Sequence, residues 1–153
     1  MVDNRVYTTR RMGIVDALCN IIETIDSSDS NSEFNSTVLD VYPRLKFWDE
    51  VPQFPAVSVT AGLEYRQYQG GGYKDRFLNV SIKAYVEEED AATALDALLE
   101  DIETVVENNS KLTYYDKLGV EQCTHQISIV QIETDEGVLE PIGFGEISLL
   151  VHY

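Results

Sequence analysis

An amphipathic period of 3.6 residues occurs twice along this chain, and each occurrence predicts a helix. The first covers residues 8–25, with Thr8 or Thr9 as N-cap. The second follows four acidic residues at 87–90, where the positive end of a helix dipole favours negative charge, and ends at residues 108–109. The apolar positions are Met12, Val15, Leu18, Ile22 and Ile25 in the first helix, and Ala91, Ala94, Leu95, Leu98, Ile102, Val105 and Val106 in the second.

Elsewhere the pattern predicts strands, which are short or alternate with period two. Two of them, at 64–69 and 75–86, are predicted to form a hairpin around Gly70, Gly71 and Gly72, because glycine accepts the positive φ of a tight turn. The second arm is expected to direct Leu78, Val80, Ile82, Ala84 and Val86 into the core. The other predicted strands are 37–42, 56–61, 122–132 and 143–153, with a tyrosine-containing turn at 112–119.

This order of helix, strands, helix and two strands predicts an α+β fold: two amphipathic helices packed on one face of a mainly antiparallel sheet. No linker divides the chain, so residues 1–153 are predicted to form a single domain. The polar stretch 26–33 is expected to be an exposed, mobile connection.

Charge narrows the possible functions. Eleven basic residues against 27 acidic ones give a net charge of −16, which disfavours binding to nucleic acid phosphates or to an anionic membrane. No signal sequence is seen, so synthesis in a reducing cytoplasm is expected, with Cys19 and Cys123 as buried free thiols.

The candidate chemical motifs each have a simpler explanation. The acidic run 87–90 is expected to be a solvated helix start, and a calcium loop at 29–33 is disfavoured because Phe34 occupies the place of the turn glycine. The glycine triplet lacks the sequence of a phosphate-binding loop. His125 and His152 are expected on strands, at the surface or rim. We therefore predict no metal, no cofactor and no enzyme active site.

Basic residues and tyrosines are unevenly distributed. No Lys or Arg occurs between Tyr85 and Ser110 or after Lys117. This asymmetry is compatible with contact between unlike patches on neighbouring copies, and equally with an ordinary solvated surface. Tyrosines, which are enriched at interfaces, flank the glycine tip and occur in the turn 112–119.

Taken in order, these segments resemble the tail terminator (tail completion) proteins of long-tailed bacteriophages. The resemblance rests on the opening helix, the segment 54–59, the long arm 76–86 leading into an acidic helix, and the closing segments 133–137, 140–141, 146–147 and 151–153. Residues 26–46 have no counterpart in it.

The resemblance implies a small subunit that forms a hexameric ring, caps the tail tube, ends its polymerisation and joins the tail to a neck or head-completion protein. It implies a place at the head-proximal end of the virion tail, after synthesis in the host cytoplasm, and no membrane partner. DNA would pass through a negatively charged lumen without specific binding.

On this basis we expect the contacts between copies and with the tail tube protein on the N-terminal arm, the hairpin tip and the turn. The candidate residues are Arg5, Arg10, Arg11, Tyr68, Gly70, Gly71, Gly72, Tyr73, Lys74, Arg76, Tyr114, Tyr115 and Lys117.

Two alternatives stay open at this point. One is another structural subunit: a ring of the head–tail joint, such as a head-closure or neck subunit, or a baseplate-proximal tail protein. The other is a small-molecule binding module or enzyme whose site combines scattered residues such as His125, Glu133 and Asp135.

Overall fold

The computed structural model describes residues 7–153, and both predicted helices are present. Helix α1 spans Arg10–Ile22 and α2 spans Ala91–Glu107. The side chain of Thr9 accepts a hydrogen bond from the Met12 N–H at 3.1 Å, and that of Asp90 accepts one from the Thr93 N–H at 3.4 Å. These contacts satisfy N–H groups that have no partner within the helix.

Within residues 7–153, seven strands form two sheets. They are β1 Asp40–Tyr42, β2 Ala56–Tyr68, β3 Lys74–Glu87, β4 Thr113–Tyr115, β5 Glu121–Cys123, β6 Gln126–Thr134 and β7 Ile142–His152. The main sheet has the order β1-β2-β3-β7-β6, in which only β1 pairs in parallel, and β4 and β5 form a separate antiparallel pair. The predicted α+β class is confirmed.

Both helices pack on the same face of the main sheet. Helix α1 contacts β1 and β2, and α2 contacts β3, β7 and β6. The alternation predicted for β3 is confirmed, because its five apolar residues from Leu78 to Val86 are all buried in the core between sheet and helices. On the opposite face the Tyr85 ring stacks on Phe144 at 5.5 Å between centroids, and its hydroxyl donates to the Lys46 carbonyl at 2.6 Å.

Several strands differ from the sequence-based predictions in their boundaries. The predicted strands 56–61 and 64–69 are one strand, β2, with an irregularity between Ala61 and Glu64. The predicted strand 122–132 is divided between β5 and β6, and the predicted turn 112–119 contains β4. The division has a cause in Thr124: its buried hydroxyl accepts from the Leu112 N–H at 2.8 Å and donates to the Ser110 carbonyl at 3.0 Å. The chain thus leaves one sheet and enters the other at this residue.

Two side-chain placements also differ from expectation. His125 lies between β5 and β6 and not on a strand. Cys19 on α1 is buried, as predicted, whereas Cys123 is exposed because β5 belongs to the small hairpin at the surface of the molecule.

Candidate interaction surface

The tip of the β2–β3 hairpin presents two aromatic rings to solvent. Tyr68 and Tyr73 are each 75% exposed and flank a turn in which Gly71 and Gly72 have φ angles of 76° and 84°. Residues with side chains rarely adopt these angles, so the turn depends on glycine. The turn is held at its base, where the Gln69 N–H donates to the Tyr73 carbonyl at 2.7 Å.

Below the tip, Tyr153 ties the hairpin to the C-terminus. The guanidinium of Arg76 lies 5.5 Å from the centre of the Tyr153 ring, and the Tyr153 hydroxyl donates to the Glu64 carboxylate. Burial, together with this hydrogen bond, raises the pKa of Tyr153 to about 12. Burial alone would raise the pKa of Glu64, but hydrogen bonds from Tyr153 and Arg66 outweigh it and lower that pKa. The cluster is therefore a neutral phenol donating to a carboxylate.

The start of α1 and the β4–β5 turn form a second part of the same end. Arg10 and Lys117 line a cavity of about 310 Å³ together with Leu118 and Asp116. The Asp116 carboxylate accepts from the backbone N–H groups of Val120 and Leu118, which lowers its pKa and fixes the turn. Both segments therefore present basic side chains beside an exposed leucine.

Tyr114, a buried residue of β4, packs between the β4–β5 turn and the C-terminus. Its ring meets that of Tyr153 edge to face, with 6.2 Å between centroids. Only 3% of Tyr114 is exposed, so its predicted role as a surface contact is wrong: on strand β4 it alternates with the exposed Thr113 and Tyr115 and faces the core. Burial raises its pKa.

The structure therefore brings most of the candidate residues to one end of the molecule, which we call the hairpin end. Arg11 reaches it by donating from its guanidinium to the Gly62 carbonyl of β2. Arg5 lies outside the described residues. The hairpin end, as used below, consists of Arg10, Arg11, Tyr68, Gly70, Gly71, Gly72, Tyr73, Lys74, Arg76, Tyr115 and Lys117.

The opposite end of the strands is acidic. There, Glu87 closes β3 and pairs with Ile142, and the Glu88 N–H donates to the Pro141 carbonyl at 2.9 Å. The two acidic segments 87–90 and 135–140 therefore lie together, and neither contains Lys or Arg. Two segments without basic residues thus meet at the end of the strands opposite the hairpin.

The sequence analysis missed several exposed apolar side chains. Leu63 on β2 is 70% exposed and Val130 on β6 is 63% exposed, and both lie on strands at open edges of the main sheet. Phe47 and Trp48 are also exposed, in the segment between β1 and β2. Trp48, the one tryptophan of the chain, lies between Pro43 and Pro52. It could have indicated this exposed segment as a candidate interface, because tryptophan is enriched where proteins bind one another.

The scattered site considered for an enzyme is not assembled. His125 precedes β6, whereas Glu133 and Asp135 lie at its other end, and nine residues of strand span roughly 30 Å. His152 lies beside His125 with 4.8 Å between ring centres, and its Nε2 is 3.0 Å from Asp75 Oδ1, an interaction that lowers the pKa of Asp75. Within residues 7–153 no group of three or more His, Cys, Asp or Glu side chains could hold a metal ion. No helix in the same range is long and apolar enough to cross a membrane.

A small α+β fold with exposed aromatic and apolar side chains at one end and along its sheet edges is typical of a structural subunit. Residues 8–153 match the family model described as Bacteriophage Tail Tube Terminator Protein, and the chain belongs to this family. It is similar to the tail tube terminator protein p142 of Escherichia phage T5, with 32% identity over 139 residues, which is 87% of this chain and 86% of that protein. The expected family is therefore confirmed: this is a phage tail-terminating structural protein and not an enzyme.

Proposed function

We propose that the protein forms a ring, of six copies as the family resemblance implies, on the end of a completed tail tube and thereby stops addition of further tube subunits. The observation that carries this proposal is the hairpin end, which combines two exposed tyrosines with exposed basic side chains on a chain of net charge −16. Tyrosine and arginine are enriched among the residues that contribute most of the binding energy at protein interfaces.

The different composition of the two ends supports different partners for them. The hairpin end is suited to an acidic surface, and we assign it to the tail tube protein. The acidic end, with residues 87–90 and 135–140, is then left for a neck or head-completion protein of opposite charge. In this proposal the protein lies at the head-proximal end of the virion tail, as the family resemblance implies.

The overall charge supports a path for DNA through such a ring. Phosphates are repelled by an acidic lumen, so DNA could pass without specific binding. In this proposal residues 1–153 act as one domain, and after synthesis in the host cytoplasm neither a cofactor nor a membrane takes part.

Electron microscopy of the purified protein, alone and mixed with tail tubes, tests the proposal. Rings bound to one end of the tubes are the expected result. Protein bound along the tube walls, or absent from the ends, would contradict it. Binding at the far end would instead favour a baseplate-proximal role, and rings that bind the head portal but not the tube would favour a head-closure or neck subunit.

A further inference from the structure

The main sheet has two edges that no described strand covers. Strand β6 pairs with β7 on one side only. On the other edge, β1 pairs with residues Ala56, Val57 and Ser58 of β2, and within residues 7–153 no strand pairs with the outer side of β2 beyond them. The Gly62 carbonyl already accepts a hydrogen bond from the Arg11 guanidinium. The open part of β2 is therefore residues 63–68.

Hydrogen-bond alternation identifies which backbone groups point outward. The Gln69 N–H at the end of β2 donates to the carbonyl of Tyr73, the residue before β3. In an antiparallel pair every second residue bonds to the partner strand, so Gln67 and Tyr65 also bond to β3. Arg66 lies between them and therefore directs its N–H and C=O to the open edge. On β6 the Asp135 N–H bonds to the Phe144 carbonyl at 2.9 Å. By the same rule Ile132 directs its backbone groups away from β7.

Neither edge is protected by lysine, by proline or by being short, which are three of the ways in which soluble proteins guard open edges. Each edge has one register irregularity, between Ala61 and Glu64 on β2 and between Ile129 and Gln131 on β6, and is regular beyond it. Strand β6 has nine residues with no lysine, no proline and a single charge at Glu133, and residues 63–68 likewise contain neither lysine nor proline. Each edge instead exposes a large apolar side chain, Val130 on β6 and Leu63 on β2.

The directions of the two edge strands fit each other. Strands β2, β3, β7 and β6 are antiparallel in succession, so β2 and β6 run in opposite directions. A rotation about an axis along the strands preserves strand direction, and it therefore brings β6 of one copy antiparallel to β2 of the next. Such a head-to-tail contact repeats, and it closes into a ring when the rotation is a whole fraction of a turn.

Charge favours the same match. The chain contains no Lys or Arg after Lys117, so the β6 edge and its flanks are acidic or neutral. The open part of β2 carries Arg66, which forms an ion pair with Glu64 of the same strand, and it lies beside Lys74 and Arg11. Contact between unlike edges is thus favoured over contact between two β6 edges.

We propose that neighbouring copies join by antiparallel pairing of β6 (residues 126–134) with the open part of β2 (residues 63–68), so that the main sheet continues from copy to copy. This inference rests on the proposed ring, for which it supplies the contact between copies. Within the hairpin end, Gly70, Gly71, Gly72 and Tyr73 stay outside this contact and remain available to the tail tube, whereas Tyr68, Arg11 and Lys74 lie in or beside it.

Proline at an outward-facing position tests the pairing, because it removes one N–H at the edge and leaves the backbone hydrogen bonds within the subunit intact. The variants are Ile132→Pro and Arg66→Pro. Their controls are Ile132→Thr and Arg66→Lys, which keep the N–H while changing the side chain, and Arg66→Lys also keeps the positive charge. Far-UV circular dichroism and thermal melting first establish that each variant is folded, and rings are then counted by electron microscopy with and without tail tubes.

Both proline variants are expected to reduce the fraction of protein in rings at least tenfold, while both controls form rings. If wild type and both folded proline variants form rings equally, the edge pairing is wrong and the ring itself stands. If only Ile132→Pro fails, β6 pairs with something other than β2, and the inference is equally overturned. If wild type forms no ring under either condition, the proposed function fails, and the inference fails with it.

Disulfide cross-linking tests the same strand pairing without proline, and so applies even if a proline variant does not fold. In a Cys123→Ser background, Leu63→Cys is combined in turn with cysteine at residues 127, 130, 132 and 134. A disulfide between copies is expected for at least one combination, because paired strands bring Cα atoms within about 5.5 Å. Rings that form without a cross-link in any combination would overturn the pairing.

Discussion

The carboxylate of Asp101 on α2 accepts a hydrogen bond from the Ser36 N–H at 2.7 Å. The Asn35 N–H lies 3.0 Å from both oxygens of the same carboxylate, and the Asn35 side-chain amide donates at 3.2 Å. Only 1% of Asp101 is exposed, so these donors replace the water that a carboxylate would otherwise bind. The connection between α1 and β1, which has no regular structure here, is anchored in this way to the second helix.

Replacing Asp101 with alanine tests this anchor. Asp101→Ala leaves the N–H groups of Asn35 and Ser36 without their acceptor, and each unsatisfied group costs about 1–3 kcal/mol. We expect the free energy of unfolding, measured by urea denaturation, to fall by about 2–4 kcal/mol. The control Asp96→Ala changes an exposed carboxylate of the same helix and should stay within about 0.5 kcal/mol of wild type. Equal losses in the two variants would show that the anchor does not stabilise the fold.

The close approach of α1 to β4 depends on Gly13. A Cβ at this position would lie 2.4 Å from the backbone carbonyl oxygen of Tyr115, so Gly13→Ala must push the helix and the strand apart. We expect a net loss of about 1–3 kcal/mol in unfolding free energy, despite the better helix propensity of alanine.

Gly62→Ala is the matched control for this substitution. The nearest atom to its Cβ would be the Asn79 carbonyl oxygen at 3.8 Å, which is ordinary contact. Urea denaturation should therefore find Gly62→Ala close to wild type. A Gly13→Ala protein as stable as this control would refute the proposed clash.

The pKa of Tyr153, raised to about 12, predicts a specific alkaline instability. Because the folded-state pKa lies above the unfolded value near 10, the phenol contributes stability that is complete below pH 10 and is lost as the pH rises to about 12. Tyr85, whose pKa burial also raises to about 12, contributes in the same window. Tyr153→Phe should therefore flatten part of the decline in melting temperature between pH 10 and 12.

Tyr68→Phe serves as the control for that experiment, because this ring is exposed at the hairpin tip. Its melting temperature should follow the wild-type curve across the same pH range. If Tyr153→Phe also follows the wild-type curve, the buried phenol does not govern the alkaline loss.

The tyrosines of the hairpin tip are expected to matter for assembly and not for folding. Tyr68→Ser combined with Tyr73→Ser removes two exposed rings, and exposed substitutions change stability by less than about 0.5 kcal/mol each. The fraction of tube ends bearing the protein, counted by electron microscopy, should fall at least tenfold. Val138→Ser, an exposed apolar substitution in the β6–β7 connection, should leave that fraction unchanged. Normal occupancy by the double variant would remove the tip from the proposed contact.

Both helices and β3 could be predicted from the sequence because their side chains repeat with the period of the element. Residues Leu78 to Val86 show this clearly: the alternation fixes which face of the strand is buried, whatever the strand pairs with. The same logic located the glycine hairpin, since Gly71 and Gly72 adopt the positive φ angles that the triplet suggested.

The features that escaped prediction depend on single contacts between distant residues. The break between β5 and β6 is set by the Thr124 hydroxyl, which reaches Leu112 and Ser110. Tyr114 was expected at the surface because tyrosines in turns are commonly exposed, yet strand β4 directs it against Tyr153. The open edges of β2 and β6 follow from the strand order, which no local pattern records.

The central claim, that the protein ends growth of the tail tube, is tested most directly by the length of growing tubes. Tail tube protein is added to short tube seeds with and without this protein, and tube lengths are measured by electron microscopy. We predict that seeds already bound by the protein at one end stop growing at that end while free seeds lengthen. Tubes that lengthen equally in its presence, with no protein at their ends, would contradict the claim.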